Sequence, residues 1–272
     1  MGGVGGSGTR LIASILIDLG FSFGADLNAA HDNLWFTLLF KRQELWPLAD
    51  HDQELKGLLE IFLGQTSKEL AMNSEQRLLI RQLATNPRPK HEVAWLQERS
   101  HSLLQGLKEE PAKGLRWGWK EPNTHIFLPF LLEEIPDFKY IHVMRHGVDM
   151  AFSRNQNQLE FWGRQMLGWQ PDLVSPVDSL KYWCLAHQRV IDLMAPYQHR
   201  FLLLNYDAFC AAPGTHLYRL LTFLEVEPER GQLDDLLGKN LTPRSLGRRH
   251  QHDLSVFDPV DLAYVQSLGF EP

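Results

Sequence analysis

Eight residues near the start of the chain, Gly3-Val4-Gly5-Gly6-Ser7-Gly8-Thr9-Arg10, have the make-up of an anion cradle. Glycines let successive backbone N–H groups turn toward one point. The apolar run at 11–19, LIASILIDL, has helical spacing and sets a helix N-terminus directly behind them. Inward-turned N–H groups and the positive end of a helix together favour a phosphate-like anion. The alternative is a flexible start to the chain; the embedded Ser-Gly-Thr and the immediate helix argue against it. Gly3 and Gly8 have the G-x4-G spacing of a P-loop, but Thr9-Arg10 stands where a nucleotide kinase carries Lys-[Ser/Thr]. The lysine for the β/γ-phosphates and the hydroxyl for Mg²⁺ are therefore missing from their places. A magnesium-dependent small-molecule kinase remains an alternative that ATP turnover would reveal.

Sulfuryl transfer asks less of the loop. The migrating group carries less charge than a phosphoryl group, so fixed donors and one lysine or arginine suffice without a metal. Three segments then resemble the sulfotransferase family that uses 3′-phosphoadenosine 5′-phosphosulfate (PAPS), particularly its bacterial and Golgi-type branches. Residues 3–9 look like its 5′-phosphosulfate motif. Residues 140–153, YIHVMRHGVDMAFS, resemble its 3′-phosphate motif, with Arg145 after an apolar strand and Ser153 eight residues on. Residues 203–226, LLNYDAFCAAPGTHLYRLLTFLEV, resemble its strand, aromatic-acidic turn and helix. The matches follow the family's order and span nearly the whole chain.

The resemblance implies that Gly5, Gly6, Ser7, Gly8, Thr9, Arg10, Arg145, Ser153 and Tyr206 bind PAPS as co-substrate, with no metal required. Physical sense supports Arg145 independently. A guanidinium at the carboxyl end of a strand faces the crevice where α/β folds bind ligands, and its parallel N–H groups suit a phosphate dianion. Ser153, on the helix that follows, adds a hydroxyl. Lys120, in Trp-Gly-Trp-Lys-Glu-Pro, resembles the family's lysine after a strand and is expected to neutralise charge developing on the sulfuryl and bridging oxygens. Glu121 precedes a proline-led helix and reads as a cap. Asp26, nineteen residues after Ser7, is the expected base for the acceptor, with Asp32 and His31 as competitors. The chain departs from the family's pattern at Gly6, where a basic residue is common, and at His146, where an acidic one is. A catalytically weak or inactive nucleotide-binding module is thus a second alternative.

These groups need elements to position them. The 272 residues are 44% hydrophobic, enough for one large core, and the net charge of −6 argues against a nucleic-acid partner. Cys184 and Cys210 have no metal-ligand spacing and read as small buried residues. No run of about twenty apolar residues and no signal peptide is visible, so a cytoplasmic location without membrane contact is expected. No apolar strand precedes the glycine loop. Strands are expected at 115–119, 138–144 and 201–204. Helices are expected at 11–19, 126–134, from about 148, at 178–194 and at 215–224. Residues 161–176, with Trp162, Trp169 and two prolines, read as a loop or lid. Together with Phe161 and Trp183 these tryptophans offer aromatic faces to a sugar or aromatic acceptor, although Trp183 reads better as core. Arg248-Arg249, within 245–250, either closes over the cofactor or is solvated.

Strands alternating with helices imply an α/β fold: a three-layer α/β/α arrangement with a central parallel sheet and a P-loop-like phosphosulfate-binding loop. A helical insertion at about 33–107 completes a single domain over 1–272. The acceptor is expected to be a small molecule or carbohydrate offering a hydroxyl or amine.

Overall fold

The structure, a computed structural model, describes residues 1–64, 72–106, 116–169, 173–229, 231–237 and 246–271. The chain falls into two compact units. Met1–Ile12 and Asp137–Pro272 form the first, and Ala13–Pro136 the second. Helix α1 (Thr9–Asp18) starts in the first unit and ends in the second.

The second unit is largely helical. After the two-residue strand β1 (Phe21–Ser22) come α2 (Leu34–Phe40), α3 (Asp52–Gly64), α4 (Ser74–Leu83) and α5 (Val93–Gln105). Strand β2 (Arg116–Trp117) pairs in parallel with β1, and α6 (Leu128–Glu134) closes the unit. Residue 115, the expected start of that strand, lies outside the described residues. The sequence LWFTLLF makes α2 apolar on all sides, and every one of its residues is buried. Phe36 and Phe40 stack at 4.6 Å and meet Phe62 and Phe127 edge-on. Burying each such side chain contributes about 1.5–3 kcal/mol, which anchors a helix too short to persist alone.

The first unit is built on β3 (Tyr140–Met144) and β4 (Phe201–Asn205), parallel and in register from Tyr140 opposite Phe201 to Met144 opposite Asn205. The chain start adds a third parallel partner. Gly2 N–H donates to the Ile141 carbonyl at 3.1 Å, and Val143 N–H donates to the Gly2 carbonyl at 3.0 Å. Although no apolar strand precedes the glycine loop, backbone bonds from Gly2 do a strand's work. All five residues of β3 are buried, as a strand covered on both faces requires.

The first unit also holds α7 (Gly147–Ala151), α8 (Asn157–Leu167), α9 (Pro176–Met194), α10 (Tyr206–Ala211), α11 (Pro213–Leu224), α12 (Gln232–Leu237) and α13 (Pro259–Ser267). Helix α9 buries Leu180, Trp183, Cys184, His187, Val190 and Met194, a stripe three or four residues apart. Its start is fixed by a capping box between Ser175 and Asp178, with Pro176 in the first turn.

Two expectations need correction. Much of 161–176 is helix: α8 runs to Leu167 and buries Leu159, Phe161, Trp162 and Leu167. Apolar spacing outweighs the loop-like tryptophans there, and Gly168, left-handed at φ 80°, supplies the stop. Second, Ser153 is not on a helix. Helix α7 has only five residues, and Ser153 lies in the turn beyond it. No described helix is long and apolar enough to cross a membrane.

Candidate functional site

Three parallel segments of the first unit end at one side. The Gly2 segment leads into the glycine loop, β3 into Arg145, and β4 into Tyr206. Open α/β sheets bind ligands outside the carboxyl ends of their strands, and here those ends carry the residues expected to hold the nucleotide.

In the loop, Ser7 N–H donates to the Val4 carbonyl at 3.0 Å and closes a turn. The next amides enter the first turn of α1, where a helix leaves its N–H groups without intrahelical acceptors. Ser7 is fully buried, and its Oγ has no hydrogen-bond partner among the described residues. A buried hydroxyl left unmatched costs roughly 1–3 kcal/mol, so this oxygen calls for a ligand. An anion with several acceptor oxygens, such as a phosphosulfate, fits it. Gly8 is at φ 97° and sits against the Tyr206 ring. Thr9 is buried, and Arg10 is exposed on the first turn.

The Arg145 guanidinium lies over the Tyr206 ring, 5.8 Å from its centroid. Burial pushes the Tyr206 hydroxyl up to about 12, so the ring stays neutral and keeps its electron-rich face for the guanidinium. The backbone on either side of Arg145 is held firmly. Trp183 Nε1–H donates to the Arg145 carbonyl at 3.1 Å, and His146 N–H donates to Asp207 Oδ2 at 2.8 Å. The second bond joins the turns that follow β3 and β4. Burial raises the Asp207 pKa, opposed by the His146 N–H and by the Arg145 charge. His146 caps α7 by accepting from Val148 N–H at 3.2 Å, and burial lowers its pKa.

Helix α7 also carries an anchor that sequence reasoning passed over. Asp149 is fully buried and accepts from the Gly247 and Arg249 N–H groups, each at 2.8 Å. The Arg248-Arg249 segment is thereby fastened to α7, the helix that follows Arg145 and His146; residue 245 lies outside the described residues. Ser153 Oγ is engaged locally, accepting from Asn155 N–H at 3.2 Å.

The catalytic candidates Lys120 and Asp26 belong to the second unit. Lys120 is buried, pairs with Asp32, and donates to the Ala30 carbonyl at 3.1 Å. Asp26 Oδ1 accepts from Arg99 at 2.6 Å, while its Oδ2 is buried without a hydrogen bond among the described residues. His31, left-handed at φ 62°, meets Ser14 Oγ through Nε2 at 3.1 Å. Glu121 does cap the turn Pro122–Phe127, accepting from Asn123 N–H at 2.6 Å, and burial raises its pKa. Of the aromatic acceptor candidates, Phe161, Trp162 and Trp183 are core and Trp169 is 48% exposed. Both cysteines are free, Cys184 buried and Cys210 half-buried.

Comparison with known proteins gives the same direction. A profile described as "Sulfotransferase family" matches residues 2–230. Among solved structures, the sulfotransferase domain from the Synechococcus PCC 7002 olefin synthase is 16% identical, with 98% of this chain and 92% of that one covered at a TM-score of 0.50. The sulfotransferase domain from the curacin biosynthetic pathway is 16% identical, with 100% and 99% covered, also at 0.50. At such identity these structures speak for the fold alone. No curated protein matches the sequence.

Proposed function

Since the chain belongs to the sulfotransferase family, we propose that it transfers a sulfuryl group from PAPS to a hydroxyl or amine of a small-molecule or carbohydrate acceptor. The observation that carries this reading is the gathering of the glycine loop, Arg145 and Tyr206 at the carboxyl ends of parallel segments in one unit.

In this reading the loop amides and Ser7 Oγ bind the 5′-phosphosulfate, and Arg145 binds the 3′-phosphate with its guanidinium fixed over Tyr206. PAPS supplies an activated sulfuryl group on a phosphate leaving group. The chain's own part is to hold that group in line and to meet charge on the departing oxygen with fixed donors. Lys120 is assigned to that charge and Asp26 to the acceptor's proton. Both assignments rest on residue type and on the family's pattern.

The test is ligand binding followed by turnover. Adenosine 3′,5′-bisphosphate at about a hundred times its dissociation constant should stabilise the fold by roughly 2.7 kcal/mol. ADP, which lacks the 3′-phosphate, should do far less. Radiolabelled PAPS offered to a panel of acceptors then identifies the substrate. Equal stabilisation by the two nucleotides would remove the 3′-phosphate site. Binding without transfer to any acceptor would reduce the protein to a nucleotide-binding module. Asp26→Asn should abolish transfer to a sugar hydroxyl more completely than to a phenol; activity unchanged from wild type with both acceptors would pass the base to Asp32 or His31.

A further inference from the structure

The glycine loop has the shape of an anion cradle but little charge of its own. Residues 3–9 carry no charged side chain, and Arg10 is exposed on the first turn of α1. Beyond the loop's own amides and Ser7, a side-chain donor to an anion at the loop's outer side would come from another element. The side chain standing there is Asn155. A Cβ built on Gly5 would lie 3.7 Å from Asn155 Nδ2, and one built on Gly6 would lie 4.0 Å from it. Gly6 itself is at φ 95°, a conformation that discourages a longer, cationic side chain at this point.

The turn between α7 and α8 is built to present that carboxamide. Gln156 Nε2 donates to the carbonyls of Met150 at 3.1 Å and Ser153 at 2.8 Å, which binds the turn to itself. Gln158 Nε2 donates to the Gly3 carbonyl at 3.1 Å and ties α8 to the glycine loop. Asn155 Oδ1 accepts from Asn157 N–H at 3.4 Å; a Cβ on Gly5 would meet Nδ2 at 3.7 Å and Oδ1 at 3.8 Å, whereas one on Gly6 would have Nδ2 alone of the two within 4.0 Å. Among the described residues Nδ2 has no acceptor. Ser7 Oγ, on the same loop, is likewise unmatched and fully buried. An anion rich in acceptor oxygens, seated on the loop, gives both groups a partner.

We infer that Asn155 is a binding residue for the 5′-linked anionic group, donating through Nδ2 so that the α7–α8 turn forms one wall of the cradle. This rests on the proposed function and extends it to a residue outside the glycine loop. The donor is neutral, which suits a terminal sulfuryl group with its single charge better than a doubly charged phosphoryl group.

Titration calorimetry with PAPS and with adenosine 3′-monophosphate, which has no 5′ anion, tests it. Asn155→Ala should weaken PAPS about 10-fold, the effect of one hydrogen bond to a charged acceptor. Asn155→Asp should weaken it about 100-fold, because a like charge then faces the anion. Adenosine 3′-monophosphate should bind all three proteins alike, and melting temperatures should agree, since Asn155 is exposed. Unchanged PAPS affinity in both variants overturns the inference and leaves the proposed function standing. Equal losses for both nucleotides also overturn it, because they would mean that the turn only shapes the protein. A wild-type protein that does not bind PAPS removes the proposed function and this inference together.

Discussion

Gly8 and Tyr206 leave each other no spare room: a Cβ on Gly8 would fall 2.2 Å from Cδ2 of the Tyr206 ring. The backbone there is at φ 97°, so a side chain would be strained even in open space. The close approach lets the loop pack onto the same ring that carries Arg145. Gly8→Ala should therefore destabilise the protein by about 1–3 kcal/mol. Clash and backbone strain separate in a double-mutant cycle. Gly8→Ala in a Tyr206→Ala background should cost clearly less, with a coupling on the order of 1 kcal/mol in urea unfolding. Strict additivity would mean that ring and loop do not constrain each other.

Arg145 should govern affinity rather than rate. Its charge-assisted bonds form with the bound nucleotide and change little during transfer. Arg145→Ala should weaken adenosine 3′,5′-bisphosphate by about 10- to 100-fold, with ADP almost unaffected. Arg145→Lys should recover only part of the loss, because an ammonium lacks the planar fork. Calorimetry on the three proteins decides this, and an equal loss for both nucleotides would place Arg145 away from the 3′-phosphate.

Lys120→Ala should show two separable effects. Removing the ammonium leaves the Asp32 carboxylate and the Ala30 carbonyl without it. The cost should be about 3 kcal/mol, the lower end for breaking a buried pair, because Asp32 keeps some contact with water. At this chain length that corresponds to a melting temperature lower by roughly 2–4 °C per kcal/mol. The assigned role in transfer adds a fall in kcat on the order of 10²-fold with KM for PAPS little changed. Asp32→Asn should share the loss of stability. A normal kcat in folded Lys120→Ala protein would leave Lys120 a purely structural residue.

Acid should weaken the first unit through His187. The ring is fully buried, with Nδ1 at 2.7 Å from the Trp183 carbonyl and Nε2 without a partner among the described residues. Burial pushes its pKa down to about 4. The folded value thus lies below the unfolded value of about 6.5, so between these two pH values the unfolded chain binds a proton that the folded one refuses. Stability should fall as pH drops through this window, by about 3 kcal/mol once pH reaches 4, and should be insensitive to this group above pH 6.5. Urea unfolding at pH 7 and at pH 4.5 should show a drop for wild type roughly 2–3 kcal/mol larger than for His187→Phe. Equal drops would rule His187 out as the cause.

Much of the candidate site is legible along the chain alone. The glycine loop, the strand ending at Arg145 and the aromatic-acidic turn at Tyr206 are written in neighbouring residues: runs of glycine, a β-rich apolar stretch, an apolar run before Tyr-Asp. Such features are local, and so is the cap made by Glu121, two residues from Asn123. Residues 161–176 mislead because their tryptophans and prolines resemble a loop's, whereas the apolar spacing that builds α8 is the stronger force. Ser153 reads as helical because nothing local marks the end of α7, whose stop comes from the turn around Gln156.

The sequence by itself determined where the glycine run, the strand before Arg145 and the aromatic-acidic turn lie, and that parallel strands position them, since both follow from residues adjacent along the chain. Only the tertiary structure decided who stands next to whom. Gly2 works as a strand because β3 offers it a backbone partner far along the chain. Lys120 faces Asp32 across a separation of 88 residues, and Gly247 hangs from Asp149 across 98. Asn155 stands against Gly5 and Gly6 because Gln158 holds its turn to the loop. Such meetings depend on packing among distant segments, which leaves no periodicity or spacing in the residues on either side.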